Sequence, residues 1–76
     1  MRAVADYRFD IVLIPAEEGG FVVDCPVLPG CTTQGETYDE AIANIREAIE
    51  LVVEDMRESG EAIPQGVRLE QIEIAV

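Results

Sequence analysis

Histidine is absent from the 76 residues of this chain. That removes Ser-His-Asp and Cys-His nucleophilic catalysis, imidazole general bases and nearly every catalytic zinc site. Positive charge is scarce: 16 acids face five bases, all of them arginine, for a net charge of −11. A duplex-binding surface needs clustered cations to release counterions from phosphates, whereas Arg2, Arg8, Arg46, Arg57 and Arg68 stand scattered among acids. Direct nucleic-acid binding is therefore not expected. A basic partner is, because complementary charge speeds encounter and rejects wrong partners; the plainer alternative is that acidity keeps a small protein soluble. Long apolar runs are missing as well. Met1 leads straight into Arg2 and Asp6, so neither export nor membrane insertion is expected, and the cytoplasm is the default location.

Cysteine is limited to Cys25 and Cys31, with five residues between them. Zinc knuckles use shorter spacings and two further ligands, and a disulfide is unusual in a reducing cytosol. Two free, structural thiols and no metal or other cofactor are the expectation. What the chain does have is apolar substance, 49% of its residues. That suits one folded domain spanning 1–76, small enough to gain from self-association. Repeats, linkers and low-complexity tracts are lacking.

Tyr7 to Ile14 alternates as a strand, with Tyr7, Phe9, Ile11 and Leu13 on one face and Arg8, Asp10, Val12 and Ile14 on the other. Pro15 and the pair Gly19-Gly20 supply a turn. Gly20 to Cys25 returns antiparallel, Pro26 and Pro29-Gly30 mark a corner, and Cys31 to Glu36 is a third strand. Thr37 and Glu40 form a capping box at the head of a helix, Glu40 reaching back to the cap's own N–H. Ala41, Ile42, Ile45, Ala48, Ile49, Val52, Val53 and Met56 follow as one apolar stripe. Gly60 is placed to end the helix and residues 61–66 read as a loop. Gln71 to Val76 alternates as a last strand, with Val67 and Leu69 out of phase unless a bulge intervenes. The expectation is α+β, in the order β-β-β-α-β, with the helix over one sheet face. One helix covers one side, so Val12, Ile14 and Val22 on the other form a candidate face for a second copy, as a dimer or tetramer.

Opposite the helical stripe lie Glu40, Glu47, Glu50, Glu54 and Glu58. Leu51 interrupts that acidic face beside Asn44, as an ordinary exposed leucine or as an anchor for another protein.

The ordered run Gly20-Phe21, Pro26, Leu28-Pro29-Gly30-Cys31, Thr33, Gly35, Thr37 and Glu40-Ala41 resembles the HicB family of antitoxins. The likeness begins at Tyr7 and continues through Asn44, Ala48-Ile49, Leu51, Gly60 and Ile63-Pro64. Val27 stands where that family often carries an acid, and Gly66 where it has a second proline. The resemblance implies a truncated RNase H-like fold and a non-enzymatic protein that neutralises HicA, a small basic RNase, by occluding its RNA site. The expected contact residues are Glu40, Glu47, Glu50, Leu51, Glu54 and Glu58. Family members usually carry a C-terminal operator-binding segment; these 76 residues hold none, so an autorepressor role is not expected of them. Two alternatives stand beside this reading. One is a stand-alone oligomer without a toxin. The other, from RNase H ancestry, is a metal-dependent nuclease built on Asp10 and Asp24 facing each other across adjacent strands.

Overall fold

The structure, a computed structural model, describes residues 7–65 and 70–75. Val67, Leu69 and Val76, and with them the expected bulge and the end of the expected last strand, lie outside the described residues. Three strands, β1 (Val12–Pro15), β2 (Phe21–Asp24) and β3 (Thr32–Gly35), form an antiparallel sheet in the order β1-β2-β3, and a 22-residue helix α1 (Tyr38–Ser59) follows.

Chain chemistry explains the boundaries. In the β1–β2 turn the Gly19 N–H donates to Ala16 O at 3.1 Å and the Ala16 N–H to Gly20 O at 3.0 Å, with Gly19 and Gly20 both at positive φ. The register pairs Leu13 with Val23 and Ile14 with Val22. Pro15 ends the ladder as the last residue of β1, opposite Phe21. β1 is shorter than the alternation from Tyr7 suggested. Continuing the register would set Asp10 against Pro26, which has no N–H to give, and the ladder stops there. β2 and β3 stay joined a step longer, the Cys25 N–H donating to Cys31 O at 2.9 Å. The corner between them closes with Leu28 N–H on Cys25 O and Cys31 N–H on Leu28 O, at 3.0 and 3.1 Å.

The helix begins and ends as its caps dictate. The Thr37 Oγ1 accepts from the Glu40 N–H at 3.1 Å. The Glu40 carboxylate reaches back one residue further than expected, to the Glu36 N–H at 3.0 Å. Gly60 is left-handed at φ 74°, and the Glu61 N–H closes on Met56 O at 2.9 Å. The core lies between α1 and the face of β2 and β3: Val23, Cys25, Leu28, Cys31, Ala41 and Ile45 are buried. Helix and sheet approach so closely that a Cβ on Gly35 would stand 2.7 Å from Ala41 Cα.

The expected fourth strand is corrected. Residues 71–75 pair with no strand, and Ile72 and Ile74 are 82% and 73% exposed. Their alternation is that of a strand, but a lone strand in water has neither a ladder partner nor a face to bury.

Candidate functional site

On a helical wheel Glu40, Glu47, Leu51, Glu54 and Glu58 fall within about 60° of one another. Glu40, Glu47, Glu54 and Glu58 are exposed, and Leu51 is 62% exposed, off the buried stripe as its position on the wheel required. Asp55, also exposed, adjoins Leu51 and adds an acid to the same face; its angle on the wheel was the signal that could have included it. Glu40 is the weakest of the set for a partner, because its carboxylate is already engaged with the Glu36 N–H. Neither Arg46 nor Arg57 forms an ion pair with these acids among the described residues. The face therefore presents largely uncompensated negative charge around one apolar side chain.

Glu50 lies about 40° beyond Glu54 on the wheel, on the groove side of this cluster. It turns, with Arg46 and Arg57, onto the rim of a groove of about 970 Å³ between α1 and the extended residues before β1. Tyr7, Phe9 and Ile11 form one wall and Ile42, Ile49 and Val53 the other. Glu54 and Glu58 also border it, so the groove and the acidic face are contiguous. The sequence showed each wall as a periodic apolar stripe. It did not show that α1 packs on β2 and β3 and leaves the β1 side open.

The two edges of the sheet differ. At the β3 edge the Asn44 side-chain amide donates to Gln34 O at 2.7 Å, which explains a polar residue beside Leu51. Upstream of β1, where Pro26 has turned β2 away, the Gln65 side chain takes its place: the Arg8 N–H donates to Gln65 Oε1 at 3.1 Å and Gln65 Nε2 donates to Arg8 O at 3.2 Å. No sequence pattern marked Gln65 for this role.

Val12, Ile14 and Val22 lie together on the outer face of the sheet, Ile14 opposite Val22. Only Ile14 is strongly exposed; Val12 and Val22 are half-buried. Asp24 shares that face, but its cross-strand partner is Val12 and not Asp10. Its carboxylate Oδ1 accepts from Thr32 Oγ1 at 2.7 Å. The facing pair of Asp10 and Asp24 imagined for metal binding is thus replaced by a hydroxyl–carboxylate pair with β3. Cys25 and Cys31 are free and buried. Burial, and then the neighbouring Cys31 thiol, push the Cys25 pKa up; burial, and then Asp24, do the same for Cys31. Both are thiols of the core.

Against this geometry the comparisons with known proteins are decisive. A family profile described as a HicB-like antitoxin of a bacterial toxin–antitoxin system matches residues 9–75. The chain belongs to the HicB-like antitoxin family. A UPF0150 protein of Thermoplasma acidophilum is 41% identical over 58 residues, which cover 76% of this chain and 84% of that protein. A UPF0150 protein of Archaeoglobus fulgidus is 42% identical over 67 residues, 86% of this chain and 94% of that one. Similarity extends to a protein named Antitoxin HicB 1 from Photorhabdus laumondii, 36% identical over 61 residues, of whose length the match covers 39%. Membership of a HicB-like antitoxin family suggests a non-enzymatic role with a toxin as partner. No described helix is long and apolar enough to cross a membrane.

Proposed function

We propose that this HicB-like chain is a cytoplasmic antitoxin that neutralises a small basic RNase of the HicA type by covering its RNA site with the exposed face of α1. The observation that carries the reading is the cluster of Glu47, Glu54 and Glu58 around an exposed Leu51. An RNase surface shaped to hold phosphates is cationic, and a carboxylate array of this kind competes for it by charge. Charge alone gives steering and little residence time; a central apolar side chain, desolvated on docking, supplies the hold. Glu50 extends the contact toward the groove, and Glu40 contributes through the helix cap it stabilises. Val12, Ile14 and Val22 give a second copy a further place to pack, and a truncated RNase H-like relationship is consistent with three antiparallel strands followed by a helix.

The test is the binding kinetics of the chain with a cognate basic RNase of the HicA type. Glu47→Lys with Glu54→Lys should slow association steeply at low salt and leave the fold intact. Leu51→Ala should instead raise the dissociation rate roughly 5–30-fold, equivalent to about 1–2 kcal/mol. Wild-type kinetics in both variants would move the interface off the helix face.

A further inference from the structure

Two apolar features have no match among the described residues. The first is the groove walled by Phe9, Ile11, Ile49 and Val53. The second is the tail, whose Ile72 and Ile74 share one face of an extended pattern and stand in solvent. The groove runs along the extended residues that lead into β1. Because the Ala16 N–H donates to Gly20 O, the even-numbered residues of β1 turn their backbone groups toward β2. Leu13 therefore directs its N–H and C=O to the other side, and the same alternation carried upstream includes Ile11 and Phe9. Among the described residues nothing pairs with that edge, since β1 is terminal in the sheet. An unpaired edge beside an apolar trough is a template for an added strand: the ladder supplies affinity and alternate side chains fill the trough.

We infer that this groove and edge receive the Ile72–Ile74 tail of a second copy of the chain, added as a strand beside β1. Ile72 and Ile74 enter between Phe9, Ile11 and Val53, while Gln71, Glu73 and Ala75 face outward. The occupant is the tail because it has the period-two apolar pattern an edge strand needs. It comes from another copy because of where Gln65 is held. Gln65 bonds Arg8 on the side facing β2, so the chain approaches β1 from the side away from the open edge. Gln65 sits there beside Pro26 and Val27, and residues 71–75 of the same chain stand in solvent and do not line the groove. A partner's tail fills it instead, and reciprocal exchange fills both grooves of a pair. The fourth strand of the expected β-β-β-α-β order then exists in the partner's sheet. This inference goes beyond the antitoxin reading and does not depend on it: Glu54 and Glu58 border the groove, whereas Glu47 and Leu51 do not line it.

The experiment is sedimentation equilibrium of the whole chain and of Ile72→Glu with Ile74→Glu, with no toxin present. Wild type should be dimeric at tens of micromolar, and the double variant should raise the dissociation constant by at least about 100-fold. Its circular dichroism and denaturation midpoint should match those of wild-type monomer, because the tail is outside the core of its own chain. Mixing chains labelled at isoleucine methyls with chains labelled at phenylalanine rings should give intermolecular NOEs from Ile72 and Ile74 to Phe9. A monomeric wild type, a dimer indifferent to the substitutions, a variant that loses its fold, or NOEs confined to one chain would each overturn the exchange.

Discussion

Gly35 shows how little tolerance single residues have. The helix enters directly over it, and any Cβ would press on the backbone of Ala41. Gly35→Ala should therefore destabilise the fold by roughly 1–3 kcal/mol, read as a lower denaturant midpoint with an unchanged slope. The thiols give a second test at this scale. Both are buried and hold their protons above the ordinary thiol value of 9.0. Native protein should react slowly with a thiol reagent, and denatured protein should yield both thiols at once. The same shift has a sign in stability. The unfolded chain loses these protons first, so the contribution is complete below about pH 9 and declines as pH rises beyond it. Replacing both cysteines by valine should flatten that alkaline decline in urea titrations at successive pH values.

The elements were legible in the sequence in proportion to how locally they are determined. α1 follows from a cap, a stripe and a terminal glycine, and the structure gives Thr37 as N-cap and Gly60 as C-cap. Thr37→Ala should cost about 1 kcal/mol in thermal unfolding, and Thr37→Ser little, because only the hydroxyl acceptor matters. The first three strands also follow from alternation and turns, although β1 runs shorter because its continuation meets Pro26. Nothing local could reveal that Gln65 substitutes for the missing strand beside Arg8, because that pairing spans 57 residues. For the same reason the alternation of Ile72 and Ile74 was sufficient to suggest a strand and insufficient to say against what it pairs. Of the candidate site, the acidic arc and Leu51 could be read from the wheel. The groove could not, since it depends on which strands α1 chooses to cover.

At the scale of the whole molecule, the apolar side of α1 is spent on β2 and β3, the β1 side is open, and the outer arc is acidic. Self-association and partner binding thus use adjoining surfaces that meet at Glu54 and Glu58. An antitoxin built this way can pair with a copy of itself and still offer Glu47 and Leu51 to a toxin. The measurement that tests this most directly is RNA cleavage by a cognate small basic RNase of the HicA type, with the chain titrated in at low salt. Cleavage should fall in proportion to added chain and cease at stoichiometric equivalence, and the Glu47→Lys, Glu54→Lys variant should fail to suppress it at the same ratio. Undiminished cleavage with the wild-type chain in excess, or full suppression by the charge-reversed variant, would contradict the account.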